Sequence, residues 1–160
     1  MREILFRGKS TDTGAWVYGY YCGPFGDFDE HEICDIADTT CSRVDVDPET
    51  VGQYTGLTDK NGKRIFEGDI VRYGFLYDYN CYLESLDYPE DYEGCDFSND
   101  IKITTVKWYG EGGYPAFDLE NHDFESNGLS YMEADDDYVI EVVGNIHDNP
   151  ELIGGKEDGT

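Results

Sequence analysis

Basic side chains are scarce in this 160-residue chain: 11 Lys and Arg stand against 36 Asp and Glu, a formal net charge of −25. A phosphate backbone or an anionic membrane is bound by neutralising its charge with Lys and Arg, so this balance argues against direct binding to either. Long apolar runs are also lacking, and none approaches the ~20 residues of a bilayer-spanning helix. The opening Met1-Arg2-Glu3-Ile4-Leu5-Phe6-Arg7 shows no apolar signal core and no small-residue cleavage site, so no secretory signal is read there. The five cysteines, an odd number, are accordingly expected as free thiols in a reducing cytosol. No segment sustains a helical period, and no internal repeat is visible.

What the chain does hold is 15% aromatic residues and 19 glycines, a combination of short aromatic runs and frequent turns that points to strands and not to a disordered acidic chain. The expected fold is mainly β, with hairpins forming a small barrel or curved sheet and one short helical turn. A single domain is expected over 1–153, with an N-terminal hairpin region at 1–45, an acidic Tyr-rich insertion at 75–100 and a flexible tail at 154–160.

Alternating Ile4 and Phe6, a turn through Asp12, Thr13 and Gly14, and the run Trp16-Val17-Tyr18-Gly19-Tyr20-Tyr21 predict the first hairpin. The acidic stretch around Ile33 and Ile36 reads as a solvated strand pair. At Asp47-Pro48, an N-cap acceptor followed by a residue with no N–H to satisfy predicts one helical turn. A second hairpin follows, in which Asp59-Lys60-Asn61-Gly62 turns between Leu57 and Ile65-Phe66. Gly68-Asp69 then kinks into a strand at Ile70–Tyr73. A strand resumes at Ile101, and its alternation changes phase at Thr104-Thr105, which predicts a bulge there. Further strands are expected at Ala116–Leu119, Leu129–Met132 and Tyr138–Val143.

Three motifs carry a family resemblance. Arg2-Glu3-Ile4-Leu5-Phe6-Arg7-Gly8-Lys9 with Trp16-Val17-Tyr18-Gly19-Tyr20 comes first, then the stretch Val46 to Val71, and last Val143-Gly144-Asn145-Ile146-His147-Asp148-Asn149-Pro150-Glu151-Leu152. In this order they resemble the YopX family of phage and prophage proteins. The resemblance implies a mostly β fold and a viral setting, with no assigned general activity and no catalytic residue to carry over. It does not cover Gly74 to Asp100.

Chemistry-bearing sets are few. Cys22, His31, Cys34 and Cys41 include zinc-ligand types, but only His31 and Cys34 have knuckle spacing, so no metal or cofactor is assigned. Asp59-Lys60-Asn61-Gly62 opens like a calcium loop, yet its Gly stands at the fourth position and not the sixth. Gly154-Gly155-Lys156-Glu157 lacks the hydroxyl of a phosphate loop, and no histidine lies in a nucleophile context. The chain is therefore read as non-enzymatic.

Two binding readings remain open beside a virion or assembly role. In the first, Tyr77, Asp78, Tyr82, Glu84, Asp87, Tyr88, Glu90, Asp91, Tyr92 and Glu93 form a surface free of Lys and Arg. That surface imitates nucleic acid and inhibits a host protein with a basic groove, such as a defence factor. In the second, Gln53, Thr55, Lys63, Arg64 and Arg72 line a locally basic pocket that sequesters a small anionic ligand such as a nucleotide signal. Their ordinary roles would be turn hydrogen bonding for Gln53 and Thr55, and pairing with nearby carboxylates for the cations. The load of 14 Tyr, 8 Phe and 2 Trp exceeds what the core should bury, so a homo-oligomer is expected.

Overall fold

The computed structural model describes residues 3–24, 30–37, 40–75, 102–109, 116–120, 127–129 and 138–153. Within them lie ten strands: β1 (Phe6–Lys9), β2 (Trp16–Cys22), β3 (Glu32–Asp35), β4 (Arg43–Asp45), β5 (Gly52–Thr58), β6 (Arg64–Phe66), β7 (Asp69–Phe75), β8 (Lys102–Tyr109), β9 (Ala116–Leu119) and β10 (Tyr138–Asn145). They form two antiparallel sheets, ordered β4-β3-β2-β1-β5-β6 and β10-β7-β8-β9. The mainly β expectation holds, as two sheets.

The first hairpin pairs β1 with β2, Gly8 opposite Val17. Its phase differs from the expected one, because Leu5 is fully buried and Ile4 is exposed. Both residues are apolar, so composition alone does not decide which faces inward; Leu5 wins by packing with Tyr54 and Phe66. On β2, Gly19 lies so close to β3 that a Cβ there would sit 1.8 Å from the Cys34 carbonyl oxygen. The acidic strand pair is present as β3 and β4, with Ile33 buried against Val17 and Val46.

Asp47 caps the 3-10 turn Pro48–Thr50 by accepting from the Glu49 N–H at 3.0 Å, as its sequence context predicts. The next turn is closed by Asp59, whose Oδ1 accepts from the N–H groups of Asn61 and Lys63 at 2.8 and 2.9 Å. The largest core cluster joins Ile65 of the first sheet to Val71, Tyr73, Val106, Phe117, Leu119 and Val142 of the second. Burial of these branched and aromatic side chains is what locks the sheets together.

Three further expectations are corrected. The ladder between β7 and β8 runs without a register shift through Thr104 and Thr105, and the shift lies in β10, between Val142 and Gly144. Thr104, Thr105 and Val106 are buried in succession: the first two still pair with β7 while their hydroxyls donate to Glu120, and at Val106 pairing with β9 begins. Leu129, expected in a strand, has helical backbone, held by N–H donation from Gly128 and Leu129 to Asp118. Cys34 and Cys41, expected as free thiols, form a disulfide with Cα atoms 5.1 Å apart, because the short β3–β4 connection brings them together; Cys22 is free. The tail at 154–160 and nearly all of the 75–100 segment lie outside the described residues.

Candidate functional site

Arg7 on β1 and Asp69 at the start of β7 form an ion pair at 2.5 Å, and both side chains are almost wholly removed from water. The guanidinium also donates to the Glu67 carbonyl at 3.1 Å and lies between the Trp16 and Phe66 rings, 4.7 and 5.1 Å from their centroids. Asp69 Oδ2 accepts from the Phe66 N–H at 2.8 Å, which fixes the β6–β7 turn, where Gly68 adopts φ +79°. Burial pushes the Asp69 carboxyl up, against the pull of Arg7 and the Phe66 N–H. A buried charge pair of this kind is costly to desolvate, and it joins β1 of the first sheet to β7 of the second.

A second group lies beside it. Asp148, in the turn after β10, accepts from Trp16 Nε1 at 2.7 Å and from Asn145 Nδ2 at 2.9 Å, and pairs with Lys9. These hydrogen bonds, led by that from Asn145, hold the Asp148 carboxyl well below the usual carboxylate range. His147 packs against Trp16 at 6.0 Å, and its ring is pushed down by burial and then by Arg7 and Lys9. The three sequence motifs, far apart along the chain, thus meet at one place. Next to them opens a cleft of about 280 Å³ walled by Glu49, Val51, Glu67, Thr105, Trp108 and His147.

Sequence reasoning missed this convergence. The signal was the presence of an Arg, a Trp and an Asp in three separate motifs, which reads as ordinary surface in a chain so rich in charge.

The residues of the basic-pocket reading are dispersed in role. Thr55 is buried and donates to the Ile65 carbonyl at 2.8 Å, while Gln53 pairs with Phe6 in the β1–β5 ladder. Arg64 pairs with Glu3 at 3.1 Å and lies over Tyr54. Arg72 pairs with Glu141, which Lys60 also reaches at 3.0 Å. The backbone N–H of Lys63 closes the Asp59 turn. Tyr77, Asp78, Tyr82, Glu84, Asp87, Tyr88, Glu90, Asp91, Tyr92 and Glu93 all lie outside the described residues.

Of the cysteine and histidine set, Cys34 and Cys41 are joined and His31 Nδ1 meets the Tyr21 hydroxyl. Among the described residues no group of three or more His, Cys, Asp or Glu is placed to hold a metal ion, and no helix is long and apolar enough to cross a membrane.

A family model described as YopX protein matches residues 5–154. Among solved structures, the crystal structure of protein EF1440 from Enterococcus faecalis is similar at 24% identity, covering 96% of this chain and 99% of that one, with a TM-score of 0.48. No match is found among curated proteins.

Proposed function

The chain belongs to the YopX protein family, and on that premise we propose that it is a non-enzymatic accessory protein of phage type. It binds and inhibits a host protein with a basic groove, in the host cytoplasm, through its acidic Tyr-rich segment. The supporting observation is topological. β7 and β8 are paired neighbours, Tyr73 opposite Lys102, and antiparallel neighbours need a connection of as few as about two residues. Here residues 76–101 separate them. That surplus carries Asp78, Glu84, Asp87, Glu90, Asp91, Glu93, Asp96 and Asp100 with no Lys or Arg.

Most of the described cations are engaged by carboxylates outside this segment. Arg7, Lys9, Arg43, Lys60, Arg64, Arg72 and Lys107 each pair with a carboxylate of the sheets or their turns. Engagement of Arg64 and Arg72 also makes a free anion pocket the weaker reading. Attraction to a basic partner is therefore the use such a field supports, acting mostly on association rate.

The test replaces Asp87→Asn, Glu90→Gln, Asp91→Asn and Glu93→Gln together. Salt-sensitive capture of a basic partner from host lysate and protection of the phage on a defence-proficient host should be lost, with thermal stability unchanged. Loss instead in Lys63→Ala with Arg64→Ala would favour the anionic-ligand reading, and retention in both would favour a virion or assembly role. A two-fold dimer is part of the proposal, supported by the exposed Tyr18 and Tyr20 on β2. A monomer in sedimentation at tens of micromolar would remove that part.

A further inference from the structure

We propose that the cleft beside Trp108 receives an extended basic segment of a partner protein, added as a strand to the uncovered edge of β8. The site stands on described residues and not on the acidic insertion, so it can fail or hold independently of the function proposed above.

Among the described residues, the edge is left open by the topology. On the side of β7, pairing reaches Ile70 opposite Thr105, and the last hydrogen bond runs from the Gly68 N–H to the Val106 carbonyl at 2.9 Å. On the other side β9 pairs with Val106 through Tyr109. The Thr105 carbonyl accepts from the Glu120 N–H on the β9 side, so strand alternation turns the main-chain groups of Val106 and Trp108 toward β7. β7 begins only at Asp69. The Trp108 N–H and C=O therefore lie past its end, next to the cleft, with no strand partner among the described residues.

The walls select the occupant. Trp108 leaves 47% of its surface exposed although its ring packs edge-on against Phe117 at 4.9 Å. Glu49 and Glu67 line the cleft, and among the described residues neither has a cationic partner. The lysine of the cleft, Lys107, is already held by Glu120. An anionic ligand would meet two carboxylates. A segment bearing Lys or Arg matches both carboxylates, can place a cation over the indole, and gains main-chain hydrogen bonds from Trp108.

The probe is a blocked heptapeptide of alternating Lys and Val, titrated into the full chain by fluorescence anisotropy, with hydrogen exchange of the Trp108 amide followed by NMR. Binding should slow that exchange. N-methylation of alternate peptide amides, which keeps the charge and removes donors, should weaken binding about tenfold. Glu49→Gln with Glu67→Gln should weaken it by a similar factor, and a Glu-Val peptide should not bind. The four-fold neutralised insertion variant should bind the Lys-Val peptide unchanged. Absence of binding, indifference to N-methylation, or loss only in the insertion variant would overturn the proposal; the last result would leave the function of the acidic segment standing.

Discussion

Trp16 donates its indole N–H to Asp148 at 2.7 Å across 132 residues of sequence. With Lys9 and Asn145 on the same carboxylate, this contact ties the first hairpin to the turn that follows the last strand. The pair joins the first and last of the three sequence motifs, beside the buried Arg7–Asp69 bridge.

The Asp148 carboxyl titrates below its ordinary value because Asn145, Lys9 and Trp16 donate to it. A group depressed in the folded state stabilises above its unfolded pKa of about 3.9, and that contribution is lost as pH falls through the folded value. Asp148→Asn should lower Tm at neutral pH by about 2–4 °C, since the pair is partly exposed. Its stability should also fall less than that of the wild type on acidification below about pH 4. Thermal melts across that range check both signs.

Arg7→Met should cost about 3–5 kcal/mol, because it leaves the Asp69 carboxylate buried without its cation. Asp69→Asn keeps an acceptor for the Phe66 N–H, so the double variant should be more stable than the sum of the single losses by more than about 1 kcal/mol. Additive losses in urea denaturation would show that the two charges do not support each other.

Asp59 is a buried hub. Besides closing its own turn, its Oδ2 accepts from the Val142 N–H on β10 at 3.1 Å, and the Lys60 N–H reaches the Ile140 carbonyl at 3.0 Å. Asp59→Ala orphans three N–H groups and should cost about 2–4 kcal/mol. Amide exchange should accelerate at Val142 before it does on β2, because the lost bond covers the outer edge of β10.

His147 should titrate below the ordinary midpoint of about 6.5, since burial and the cations Arg7 and Lys9 oppose its charged form. Its contribution to stability is present above that value and lost as pH falls through the folded one. Asp148→Asn removes a charge that raises the midpoint, so NMR titration should find it lower still in that variant.

Local chemistry was legible where a residue acts on its own neighbourhood. Asp47 before Pro48 and Asp59 before Gly62 each marked a turn, because the acceptor and the donors it satisfies lie within four residues. Phase was less legible: Ile4 and Leu5 are both apolar, and the three buried residues Thr104, Thr105 and Val106 look like a bulge until a second partner strand is seen. The cysteines were read from compartment, whereas the β3–β4 geometry brings Cys34 to Cys41.

The sequence by itself determined a mostly β chain of large negative charge, its main turns, and the three motifs that mark its family, since composition, turn chemistry and motif order are properties of neighbouring residues. Only the tertiary structure decided that Arg7 meets Asp69, that Trp16 meets Asp148, and that β8 runs past the end of β7, where among the described residues no strand covers its edge. Those outcomes depend on which strands pair and how far each extends, and pairing across sixty or more residues is selected by burial of the whole core.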